Sequence, residues 1–478
     1  MAISTAMPTI ATSPIMPLRA IGVTLREKPD YLPYCSTHGC TRLVQVAITK
    51  KVHLLAPAVL ALTLLSPAVA QADPAAQCLN PNAKITVEEQ RLTATMPAGG
   101  PAVGPTLVTQ AGFDPLVGAY LQQLCAAKST SAARQLVTAA ADSLWQTAVD
   151  RAQGRRPGMG TLDTHDDRPL YWARLQMSKD LRQWQPKFAL SAADRTSLLT
   201  ALDHGSRGLD SDRLPAGAGV KKVMVSGFDP FELDGDGVRI SNPAGAAALA
   251  LDGLTITTPS GPAVVQAVSF PVVWGYFDQG IVEAAYGTAI KDTAHRPDMV
   301  VTISQGRPGQ FDIERWAGDW RGGFPDNNDA SSTGPVPAAA GWPQPADQFI
   351  ETTLPYQQMQ ATPTGSYPVN FDLLFCVWSD SSHPGTGQQV CRTDAPKPGE
   401  VAAQGGGGDY LSNESMYRAN RVRLGLGATS VRGGHLHTPV LGEPDGPTAL
   451  TDSAFEGRRT AIVDQTVALV TAAAGALG

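Results

Sequence analysis

The chain has 478 residues, room for two or three domains at the usual ~100–200 residues each. Gly 47 and Pro 38, about 18% together, make it turn-rich but short of the ~25–30% of low-complexity disorder. Lys+Arg 37 against Asp+Glu 43 leaves a net charge of −6, so there is no basic field to hold nucleic acid or an anionic membrane surface.

In chain order, the first feature is an apolar run from Leu54 to Leu65, preceded by Lys50 and Lys51 and followed by Ala70-Gln71-Ala72. A basic flank, about a dozen apolar residues and an A-x-A ending form a secretory signal, and the run is too short for a membrane span. The expected division is residues 1–43 as a mis-assigned extension ahead of a start near Val44, and 44–72 as the signal. A helical domain (73–203), a linker (204–219) and an α/β domain (220–478) follow. The mature protein is then secreted or periplasmic, without an integral span. Cleavage after Ala72 removes Cys35 and Cys40 and leaves Cys78, Cys125, Cys376 and Cys391. An even count in an exported chain reads as disulfides; of three connectivities, sequence proximity favours Cys78–Cys125 with Cys376–Cys391.

The stretch up to about Leu214 is helical in pattern. Ser129 to Arg151 places Ala133, Leu136, Val137, Ala140, Leu144 and Ala148 on one helical face. Asp167 ahead of Pro169 starts a second segment, and Ser191-x-x-Asp194 is a capping box for a third that Gly205 can end. From Val220 the period changes. Short apolar strands (Val223–Ser226, Met299–Ser304, Phe371–Trp378, Val431–Val440) alternate with helical stretches (Asn242–Leu251, Phe277–Asp292, Ala454–Ala474). The expected class is α/β: a three-layer α/β/α open, mostly parallel sheet behind the helical N-terminal domain.

In open sheets of this kind, sites gather beyond the carboxyl ends of the strands. Four strand ends carry candidate chemistry. Gly227-Phe228-Asp229-Pro230-Phe231 is followed by Asn242-Pro243; Ser304-Gln305-Gly306-Arg307 precedes Glu314-Arg315 and Phe324-Pro325-Asp326-Asn327. A glycine run, Gly405 to Gly408, leads through Tyr410 and Leu411 to Ser412 at a helix start, where backbone N–H groups converge. Finally Gly433-Gly434-His435-Leu436-His437-Thr438-Pro439 puts both histidines on one side of a strand.

These blocks resemble, in order and spacing from about Val220 to Val440, the type I pyroglutamyl peptidases, cysteine exopeptidases that remove N-terminal pyroglutamate from peptides. The resemblance implies Glu314 as the acidic triad member and His437 as general base. It implies Phe228 and Phe231 as walls around the lactam ring, with Phe324, Tyr410 and Leu411 completing the apolar pocket, and Asn242 and Arg315 as supporting polar groups. No cofactor or metal is implied, and the partners are peptides with an N-terminal pyroglutamate. The departure is at the nucleophile, where the family's Cys-Asn is Ser412-Asn413. A Ser-His-Glu hydrolase is the first expectation, since a serine hydroxyl can act when a base removes its proton. A catalytically inactive protein that binds pyroglutamyl or lactam-like ends is the alternative. A metal-dependent hydrolase using His435 and His437, with Glu314 or Glu414, is the third. The sequence leaves the oligomeric state open.

Overall fold

The computed structural model describes residues 78–211, 214–217 and 219–477; the signal and start-site expectations lie outside the described residues. After a short helix at Val87–Gln90, five longer helices follow: α1 (Val103–Gln110), α2 (Asp114–Ala126), α3 (Thr130–Ala152), α4 (Arg168–Gln183) and α5 (Ala192–Gly205). They close on a shared core that includes Leu107, Tyr120, Leu144, Trp172 and Leu198. Disulfides join Cys78 to Cys125 and Cys376 to Cys391.

The sheet that follows has seven strands. Chain order gives β1 (Lys221–Phe228), β2 (Thr255–Thr258), β3 (Gly261–Phe270), β4 (Met299–Gln305), β5 (Phe311–Glu314) and β6 (Val369–Asp372). A separate three-stranded antiparallel sheet comprises β7 (Phe375–Trp378), β8 (Gln389–Arg392) and β9 (Ala402–Gln404), and β10 (Arg432–Thr438) returns to the main sheet. Spatial order is β6-β5-β10-β4-β1-β3-β2, parallel except for the β10–β5 and β3–β2 pairs. Strand alternation divides the core. Val223 and Val225 pack with α6 (Pro243–Leu251) and the last helix (Ser453–Gly475); Met224 and Phe228 pack on the other face with Phe277 and Tyr286. The expected three-layer α/β/α sheet behind a helical N-terminal part is what the chain forms.

Two expected elements are broken. Phe371–Trp378 splits between two sheets, because Asp372 accepts the Leu374 N–H (3.0 Å) in a local turn and leaves Leu374 exposed. Phe277–Asp292 is interrupted where Gly280 turns at φ 80°, after α7 (Trp274–Asp278). Ser191 does cap α5 through the Asp194 N–H (3.0 Å), but the Asp194 carboxylate returns to the Ser191 hydroxyl (2.6 Å) instead of the backbone.

The helical layer is bonded to the α/β layer by buried polar groups. Trp145 Nε1 donates to Asp252 (2.9 Å), and Arg174 and Arg207 both donate to Asp229 (2.9 and 2.6 Å). Asp167 does not cap its own helix: its carboxylate takes the Ser241 hydroxyl and the Asn242 N–H.

Asp180 on α4 gives a pH-dependent handle. Burial pushes its carboxyl up to about 7, so its ionisation costs stability that accumulates as pH rises from about 4 to about 7. Asp180→Asn is expected to raise the thermal midpoint at pH 8 by several degrees, with the gain shrinking towards pH 4. A gain equal at both pH values would show that the charge is not its source.

Candidate active site

The carboxyl ends of β1, β3 and β4 and the start of α8 (Leu411–Gly425) frame a narrow slot of about 20 Å³. Its walls are Phe228, Phe231, Asn242, Val272, Ser304, Gln305, Tyr410, Leu411 and Ser412. Phe228 is held by Phe277 (stacked, 6.2 Å) and Phe270 (edge-on, 6.0 Å), so that wall is rigid. Phe231 and Tyr410 are half-buried, with Trp274 edge-on to Tyr410 at 5.2 Å. Asn242 caps α6 by accepting the Ala244 N–H (3.1 Å) and donates to the Asp229 carbonyl (3.0 Å), which fixes the loop after β1.

Ser412 sits, half-buried, in the first turn of α8. No side chain caps this helix, so its first N–H groups keep the partial positive charge that an oxyanion would meet. Asn413 anchors the turn: its Oδ1 accepts the Gly318 N–H (2.8 Å) and its Nδ2 donates to the Gly318 carbonyl (2.8 Å). Beneath, Glu414 takes two hydrogen bonds from Arg321 (2.6 Å each) and one from Arg418 (2.6 Å), all buried.

His437 and Glu314 lie behind the glycine run. Glu314 is opposite His435 in the β10–β5 ladder, and its Oε1 reaches His437 Nδ1 at 2.6 Å. Burial raises the Glu314 carboxyl, and the bond to His437 partly offsets this. Three glycines clear the space. A Cβ on Gly306 would lie 2.6 Å from the His437 side chain, and one on Gly406 would lie 2.1 Å from Glu314 Oε2. At Gly407, a Cβ would lie 3.2 Å from His437 Cε1 and 3.3 Å from the Asn413 nitrogen, so the imidazole edge and the Ser412-Asn413 turn flank one bare residue.

One expected supporting group and one expected pocket wall lie outside the slot. Arg315 turns away from Glu314 to pair with Glu351 (2.8 Å) and cover Trp316 (4.9 Å). Phe324 is 48% exposed and packs on the far side of Tyr410 (5.2 Å). Gln305 and Val272, which the motifs did not assign, line the slot because they stand at or just past the ends of β4 and β3; the strand-end rule was the signal available. His435 is fully buried, and its ring nitrogens are taken by Thr302 (2.7 Å) and Ser304 (2.9 Å), which leaves neither for a metal. Glu414 is equally committed to its arginines. Among the described residues, no group of three or more His, Cys, Asp and Glu is placed to hold a metal ion.

The fold and site define a mostly parallel α/β protein with a serine at a helix start and a buried His–Glu pair at the strand ends. The chain belongs to the PA0049 family: the model of that family's N-terminal domain matches residues 70–203, and that of its C-terminal domain matches 222–345 and 379–471. An uncharacterised Pseudomonas aeruginosa protein, PA0049, is 32% identical, with 83% of this chain and 90% of that protein covered. Among solved structures, the pyroglutamyl peptidase I of Bacillus amyloliquefaciens is 20% identical with a TM-score of 0.33, over 53% of this chain and 97% of that one. The pyrrolidone carboxyl peptidase of Pyrococcus furiosus is 20% identical with a TM-score of 0.32, over 52% and 99%.

Proposed function

We propose that the protein is an exported serine hydrolase that removes N-terminal pyroglutamate from peptides. The observation that carries this reading is the buried His437–Glu314 pair (2.6 Å) separated from the Ser412-Asn413 turn by a single bare glycine. In the proposed reaction, His437 takes the Ser412 proton as Oγ attacks the lactam-bearing acyl carbon. Glu314 holds the imidazole by Nδ1, and the first N–H groups of α8 receive the oxyanion. The leaving amine then takes the proton from His437, and water releases the pyroglutamate. Two disulfides support a place outside the reducing cytoplasm. Among the described residues no helix is long and apolar enough to cross a membrane.

The slot as it stands has room for about one water molecule, so a five-membered ring requires Phe231 and Tyr410 to swing outward while Phe228 stays fixed. Phe231→Ala is therefore expected to raise KM for a pyroglutamyl-amide reporter about tenfold or more, by removing one aromatic face, with little loss of stability. An unchanged KM would place the ring elsewhere.

The direct test is hydrolysis of that reporter by the purified protein, with N-acetyl-amide and free amino-terminal reporters as controls. Turnover of the pyroglutamyl compound alone supports the proposal. Saturable binding of pyroglutamyl amide without turnover favours an inactive lactam-binding protein.

A further inference from the structure

A cavity of about 450 Å³, far roomier than the slot, lies away from it. It lies where α4 and α5 meet the segment around α7, and its volume is that of a small-ligand site. Its walls carry charges of both signs that are only partly used. Arg207 donates through Nε to Asp203 Oδ1 (2.7 Å) and through Nη1 to Asp229 (2.6 Å), and its Nη2 makes no hydrogen bond among the described residues. Asp203 Oδ2 is buried without a partner. Glu88 is buried, and both its side-chain hydrogen bonds, from Tyr171 (3.0 Å) and Asn327 (3.3 Å), fall on Oε1, which leaves Oε2 unbonded. Arg182 is 30% exposed and spends only Nε, on Glu89 (2.8 Å).

This leaves two carboxylate oxygens and two guanidinium groups with spare hydrogen-bonding capacity around one space. A simple cation would meet three arginines there; a phosphate would meet Glu88, Glu89 and Asp203; an apolar ligand would leave the buried oxygen of Asp203 unpaired at a cost. A molecule with a charge of each sign satisfies both sets. Leu175, Leu199, Leu202 and Ile281, set among further polar groups such as Thr196 and Gln279, give the wall an apolar part that suits an apolar side chain.

We infer that this cavity is a binding site for a small zwitterion of dipeptide size, its ammonium held by Asp203 and Glu88 and its carboxylate by Arg207 and Arg182. Burial and the neighbouring charge of Asp229 push the Glu88 carboxyl up to about 7, with Arg207 offsetting only part of this, so the ammonium of such a ligand would favour its charged form. The site is built separately from the slot but is tied to it. Asn327 bridges Glu88 to the Pro230 carbonyl (2.9 Å), and Asp229, held by Arg174 and Arg207, follows Phe228 directly.

Calorimetric titration of the full chain with glycyl-L-leucine at pH 8 tests the assignment independently of any hydrolysis. Saturable binding is expected, weakened about tenfold or more for N-acetylglycyl-L-leucine and for glycyl-L-leucinamide, each of which lacks one charge. Asp203→Asn should weaken it by a similar factor. Thr200→Trp, at an exposed residue on the cavity wall, should block it while the thermal midpoint stays unchanged, which guards against loss of fold in the Asp203 variant. No saturation up to about 10 mM, or equal binding of the blocked dipeptides, would overturn the assignment.

Discussion

Ser412→Ala is expected to lower turnover of a pyroglutamyl-amide reporter by about 10³-fold or more, the scale of removing a nucleophile from a triad. The hydroxyl has no substitute nearby: Cys376 and Cys391 are bonded to each other. Ser412→Cys is expected to keep turnover and to gain sensitivity to iodoacetamide, because a helix start beside an imidazole also favours a thiolate. The wild-type protein should be indifferent to that reagent. Gly407→Val should fail like Ser412→Ala, since a side chain there would fill the space between His437 and the turn that carries Ser412. An inactive wild type beside an active Ser412→Cys variant would identify the natural protein as a binder that has lost its chemistry.

The largest stability effect is expected at Glu414. Its carboxylate sits fully buried between Arg321 and Arg418, and Arg418 also bonds Glu283 (2.8 Å). Glu414→Ala would leave two guanidinium groups buried with less than their share of negative charge, a loss of about 3–5 kcal/mol. In a chain of this size, at ~2.1 cal/mol/K of unfolding entropy per residue, that lowers the thermal midpoint by about 3–6 °C. Because Glu414 lies two residues beyond Ser412, the start of α8 should loosen, and reporter turnover should fall even at temperatures where the variant is folded. A midpoint within about 2 °C of the wild type would show that the network adds no net stability.

Much of this architecture was legible in the residues themselves. The change of period at Val220, the strand-end motifs and the helix start after Gly405–Gly408 are local patterns, and local patterns are written in neighbouring residues. The disulfide between Cys376 and Cys391 also follows from nearness in the chain, since the two sit opposite each other in the β7–β8 ladder. The family resemblance pointed to Glu314 and His437, and the fold brings them to 2.6 Å across 123 positions.

Other features depend on which surfaces meet, and no local pattern encodes that. Arg315 follows Glu314 directly, yet the local chain path sends it towards Glu351, and Phe324 stands outside the slot, exposed and edge-on to Tyr410, which does line it. Asp167 reads as a cap for its own helix but is drawn to Ser241 and Asn242, some 75 positions away, where buried N–H and O–H groups have no other acceptor. The charged cavity is the extreme case. Glu88, Asp203 and Asn328 come from distant stretches that carry no shared motif, and they face one space only because the helical layer docks on the sheet through the buried Arg174, Arg207 and Asp229. Periodicity fixes which face of an element is apolar. Where a buried charge finds its partner is set by the packing of layers, and that is a property of the whole chain.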